Sequence, residues 1–128
     1  MKKIIVLLII LNLFLGFGKT YFSSSFAKEN LNFSKQMLKD GKTLFKRHCI
    51  TCHGIRGEGD GPGATNLNPK PRNLKKDKFK YSGESYNEVL KRISDGVPKS
   101  KNMLAWKNVL SQKELENVTA YVKMLRAK

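Results

Sequence analysis

The run Cys49-Ile50-Thr51-Cys52-His53 constrains this chain more than any other feature. Two thiols three residues apart, followed directly by an imidazole, form the donor set for tethering a haem. Each thiol can form a thioether with one vinyl group, and His53 then lies beneath the iron as its proximal ligand. Three alternatives fit less well. A thioredoxin-like dithiol needs a β-α-β context, which the flanks do not offer. A closed zinc site wants four Cys or His ligands, whereas the chain has two Cys and two His, with His48 immediately before Cys49. A disulfide between cysteines so close in sequence would restrain little unfolded-chain entropy.

The N-terminus reads as an address. Lys2 and Lys3 precede an apolar run from Ile4 to Phe17, and polar residues then lead to Ser25-Phe26-Ala27. This is the pattern of a secretory signal cleaved after Ala27, which divides the chain into a signal over 1–27 and one domain over 28–128. The run is shorter than the ~20 residues of a spanning helix, so an uncleaved anchor is the lesser alternative. Export to an oxidising compartment such as the periplasm suits covalent haem assembly. The remaining ~100 residues make a marginal polypeptide core, and a buried macrocycle would supply the missing nucleus.

Charge narrows the partners. The formal net charge is +15, and loss of Lys2, Lys3 and Lys19 with the signal leaves +12. Such a field speeds encounter with acidic proteins or anionic surfaces. Export and the haem motif argue against nucleic acid, membrane contact is expected to be peripheral at most, and a monomer is expected.

Along the mature chain, Met37, Leu38, Gly41, Leu44 and Phe45 recur at spacings of three and four from Ser34 to His48. They form the inward stripe of a helix whose outer face carries Lys35, Lys39, Lys42 and Lys46. Gly41 costs such a helix about 1 kcal/mol relative to alanine, which makes sense where a second helix crosses closely. From Gly54 to Leu74 the density of glycine, proline and asparagine predicts a loop without regular elements, wrapped around something. Ser85 to Asp95 reads as a second helix with Tyr86, Val89, Leu90 and Ile93 inward, ended by Gly96 in the left-handed conformation. Val97 to Asn108 is irregular. A last helix starts at a Ser111/Glu114 capping box and turns Leu115, Val118, Val122 and Leu125 inward. No strand, internal repeat or second domain is expected.

With that order of elements, Ser34 to Arg126 resembles the class I c-type cytochromes. The resemblance implies an all-α, cytochrome c-like fold, in which Gly41 and Phe45 of the first helix cross Val118, Tyr121 and Val122 of the last. It implies one haem c held through Cys49 and Cys52, with His53 and Met103 as axial ligands. Met1 belongs to the signal and Met37 and Met124 to helices, so Met103 is the methionine in a loop. Leu104 stands where the family often has a proline, which leaves the following φ unset. A loop proline carbonyl, Pro69 by choice and Pro71 next, is expected to accept the His53 N–H. Arg72 and Trp106 are expected near the propionates, and His48 in solvent. Lys70, Arg72, Lys75, Lys76, Lys78 and Lys80, with Lys99, Lys101 and Lys107, form a basic rim for acidic redox partners at the haem edge. The function implied is one-electron carriage between larger redox proteins, without enzymatic catalysis. A haem enzyme or gas sensor with an open distal site, and an electron-relay subunit of a larger oxidoreductase, are the alternatives.

Overall fold

The computed structural model describes residues 32–76, 85–98 and 100–126. The expected signal over 1–27 and the cluster members Lys78, Lys80 and Lys99 lie outside these residues. Four α-helices carry the described structure: α1 Lys35–His48, α2 Ile50–His53, α3 Tyr86–Asp95 and α4 Gln112–Arg126. There is no strand among the described residues, as the hydrophobic periodicity predicts.

Each long helix begins at a serine. The Ser34 hydroxyl accepts from the Met37 N–H at 3.1 Å. At α3 the capping box is closed, with Glu88 N–H donating to Ser85 Oγ at 3.3 Å and Ser85 N–H to Glu88 Oε2 at 3.1 Å. Ser111 and Glu114 exchange the equivalent bonds at 2.9 and 3.4 Å ahead of α4. These partners satisfy amides that a helix N-terminus leaves without intrahelical acceptors. At its other end α1 carries Lys46 and Arg47, charges that suit the negative end of its dipole. Gly96 ends α3 with φ 76° and ψ −170°. This is a positive-φ extended turn and not the left-handed helical cap expected, because the chain leaves directly along residues 103–105.

The core is the crossing of α1 and α4. A methyl group on Gly41 would meet the carbonyl of Asn117 and lie 2.9 Å from Tyr121 Cβ, so the two backbones touch where only hydrogen fits. Asn117 is the contact that the sequence reading omitted, since a polar residue carries no hydrophobic signal. One turn along, the rings of Phe45 and Tyr121 pack with centroids 5.3 Å apart. Phe45 and Val118 are each only 1% exposed, and removing such side chains from water contributes about 1.5–3 kcal/mol apiece. Leu44, Leu74, Val89, Ile93, Leu110, Leu115 and Val122 complete the cluster. The third helix is tied to α4 by the Tyr86 hydroxyl, which donates to the Glu116 carbonyl at 3.0 Å. The Gly54–Leu74 loop is not wholly irregular: Pro62–Ala64 makes one 3-10 turn, closed by Ala64 N–H on the Gly61 carbonyl at 2.9 Å.

Candidate functional site

α1 delivers the chain straight into the Cys49–His53 turn. Cys49 caps both α1 and α2, and its carbonyl accepts the amides of Cys52 at 3.2 Å and His53 at 2.8 Å. Both cysteines are free and half-buried. Burial first, and then the neighbouring Cys52, pushes the Cys49 thiol up to about 12. That is the opposite of the depressed thiol that a thioredoxin-like attack requires. Among the described residues, no three His, Cys, Asp or Glu side chains are grouped to hold a metal ion by themselves.

The His53 imidazole is half-buried, and burial pushes it below the usual histidine range, with a smaller opposing effect from its hydrogen bond to Arg72. Its Nδ1 lies 3.2 Å from the Arg72 carbonyl. In a neutral ring that nitrogen donates, so Nε2 keeps the lone pair. The acceptor is therefore Arg72, and neither Pro69 nor Pro71 as expected. The Pro69 carbonyl instead takes the Asn102 side-chain amide at 3.4 Å. The physical cause is the anchoring of the returning loop: Leu74 N–H donates to the Gly57 carbonyl at 2.7 Å, which sets residues 72–74 beside the histidine turn. Gly59 completes the approach. Its φ is +78°, its N–H donates to the His53 carbonyl at 2.9 Å, and an added Cβ would run into the Pro71 carbonyl. Arg72 thus enters the site through its main chain.

Met103 is half-buried in a loop pinned to the end of α3. Val97 N–H donates to the Met103 carbonyl, Trp106 N–H to Ile93 and Lys107 N–H to Ser94, each at 3.1 Å. The Lys107 ammonium adds an ion pair with Asp95 at 3.0 Å. These bonds hold the segment without the missing proline, while Leu104 itself is 69% exposed. Trp106 packs its ring on His48, with centroids 5.2 Å apart. His48 is accordingly half-buried and not solvated, because α1 ends where the 103–110 segment passes. The basic rim is also less uniform than expected. Lys70, Lys76 and Lys101 are exposed, whereas Lys75 is half-buried and paired with Glu58 at 3.2 Å.

The donors present fit a covalently held haem: two free cysteines on one turn, an imidazole whose Nδ1 faces a carbonyl and so leaves Nε2 available, and half-buried Ile50, Leu90 and Trp106 against the core. The family model for cytochrome c matches residues 38–126. This chain belongs to the cytochrome c family. It carries the family's covalently bound haem c, and Cys49 and Cys52 are the two cysteines of the CxxCH motif. The cytochrome is similar to cytochrome c-554(547) of Halothiobacillus neapolitanus, 29% identical over 90 residues that cover 67% of this chain and 93% of the relative. It is similar also to a cytochrome c6-like protein of a Nostoc species, 32% identical over 65% of this chain and 66% of that one. Among solved structures, a chain of the reducing HAO-like protein complex of Kuenenia stuttgartiensis superposes with a TM-score of 0.59 at 32% identity. That match covers 68% of this cytochrome but only 41% of the other chain.

The sequence reading missed the Arg72 carbonyl, the His48–Trp106 contact and the Glu58–Lys75 pair. The first has no sequence signal, since every residue owns a carbonyl. The last was open to charge arithmetic, because Glu58 is one of few acids in a basic stretch.

Proposed function

We propose that this cytochrome is an exported one-electron carrier whose iron is held by His53 on one side and Met103 on the other. The observation that carries it is the His53 imidazole, with Nδ1 3.2 Å from the Arg72 carbonyl, on the same turn as the free Cys49 and Cys52. When bound, haem c supplies a one-electron couple of the iron. The chain's own residues do the rest. Cys49 and Cys52 fix the cofactor covalently, and the Arg72 hydrogen bond strengthens His53 as a donor. Met103 would hold the iron through its thioether, and a thioether paired with an imidazole would favour the reduced state and keep small ligands out. The main-chain bonds of Val97, Trp106 and Lys107 would hold the Met103 backbone steady through the redox change. Trp106 remains the candidate for a propionate hydrogen bond. The charges of Lys70, Lys76 and Lys101 favour acidic redox partners, and the N-terminal pattern supports a periplasmic location.

The test is Met103→Ala in the purified holoprotein. It should retain covalent haem, lose the long-wavelength Met-to-iron band of the ferric spectrum, bind CO and show a lower potential. An unchanged potential and spectrum would place the sixth ligand elsewhere. A wild-type protein that binds CO readily without denaturant would favour the enzyme or sensor reading. One observation favours the relay-subunit reading: a solved relative is a longer chain of a reducing HAO-like complex, of which this fold covers less than half. Stoichiometric co-purification of a second protein at high salt would support it.

A further inference from the structure

A groove of about 340 Å³ opens where α1, the chain after His53 and the end of α4 meet. Lys42 and Lys46 of α1, Arg56 and Lys75 form its rim, and Tyr121 and Leu125 its floor. Ile55 stands at the lip, 68% exposed. None of Cys49, Cys52, His53, Met103 and Trp106 lines it, so the groove is separate from the residues that serve the iron.

The four cations are not equivalent. Glu58 pairs with Arg56 at 3.0 Å and with Lys75 at 3.2 Å, which offsets half of the positive charge on that side. Lys42 and Lys46 are exposed and have no carboxylate partner among the described residues. They continue a stripe with Lys35 and Lys39 at helical spacings of three and four. Like charges so spaced repel one another and destabilise the helix that carries them. An incoming acid relieves that repulsion, and an apolar group removes Ile55 and Leu125 from water.

We propose that this groove docks an acidic segment of a partner protein in which an apolar side chain lies between carboxylates. The apolar side chain seats on Tyr121 and Leu125 against Ile55, and the carboxylates meet Lys42 and Lys46. The concavity favours a protruding peptide over a lipid surface, because a flat bilayer presents its charges in one plane and leaves the recessed floor uncovered. Its small size makes the contact a weak, reversible one. The cytochrome would then hold a partner by one face while the face near Met103 exchanges electrons.

The experiment titrates 15N-labelled holoprotein with a synthetic peptide of alternating glutamate and leucine. An all-glutamate peptide of equal charge and vesicles of phosphatidylcholine with phosphatidylglycerol are run beside it. Amide shifts should concentrate at Lys42, Lys46, Ile55 and Leu125, and the alternating peptide should bind more tightly than the all-glutamate one. Reversing two exposed charges in Lys42→Glu/Lys46→Glu should weaken binding about tenfold. The same reversal at Lys70 and Lys101 should not. Equal affinity for the all-glutamate peptide, shifts centred on residues 70–76 or 101–107, or no peptide binding would overturn the proposal. So would binding to vesicles in preference to the peptide. The wild-type shift map decides the matter even if the charge-reversed protein fails to fold, and its haem spectrum reports whether it has.

Discussion

Replacing Gly41 with alanine sets helix propensity against helix packing, and the structure decides the sign. Inside an exposed helix the change stabilises by about 1 kcal/mol, because alanine loses less backbone entropy. Here the new methyl would meet the Asn117 carbonyl, with the carbonyl carbon at 2.7 Å and Tyr121 Cβ at 2.9 Å. The obstacles are backbone and Cβ atoms, which no rotamer change removes. The two helices must part, and overpacking of this kind costs roughly 1–3 kcal/mol. Parting also loosens Phe45 and Val118, and losing a third of their burial removes about 1–2 kcal/mol more. The net expectation is a loss of roughly 2–3 kcal/mol, or a fall of about 15 °C in Tm for a domain of this size. Thermal unfolding of the holoprotein, followed by helical circular dichroism, measures it. A raised or unchanged Tm would show that α1 and α4 do not meet as described.

Gly59→Ala forces a residue with a side chain to φ +78° against the Pro71 carbonyl. It should cost about 1–3 kcal/mol and, by displacing the loop that orients His53, shift the reduction potential; an unchanged potential would detach Gly59 from the site. Ser85→Ala and Ser111→Ala each remove one side of a capping box and should each lower stability by about 1 kcal/mol in denaturant titrations, additively because the caps are separate. Glu58 is held below its ordinary value of 4.5, chiefly by the Arg56 hydrogen bond and then by Lys75. A depressed carboxylate contributes stability above its unfolded value and loses it as pH falls through the folded one. Wild type should therefore lose stability below pH 4.5, and Glu58→Gln should be less stable at neutral pH but converge with wild type in acid. Parallel curves would show that the pair contributes nothing.

The features legible in the sequence were those set by local chemistry. The Cys49–His53 spacing is fixed by covalent attachment, the serine caps act over three residues, and Gly41 is conspicuous because it costs a helix stability. The Gly54–Leu74 loop was legible as a loop, but composition alone does not show that Pro62–Ala64 winds into a 3-10 turn. The remaining features depend on which distant segments meet. His48 finds Trp106 only once α1 and the 103–110 segment are placed together. Lys75 reads as one more surface lysine until the loop folds back and brings Glu58 to it. Main-chain groups carry no residue signature, so no residue type along the chain marks the acceptor for His53.

That acceptor also bears on how this cytochrome can change over evolutionary time. A side-chain partner for the imidazole would tie the ligand's orientation to one amino-acid identity. The carbonyl of residue 72 is present whatever side chain is attached. Substitution can therefore reshape the outward chemistry of position 72, its charge included, while the hydrogen bond on the ligand persists as long as the backbone path does. Outward charge and the hydrogen bond to His53 are carried here by different parts of one residue, and a lineage can retune the first without disturbing the second.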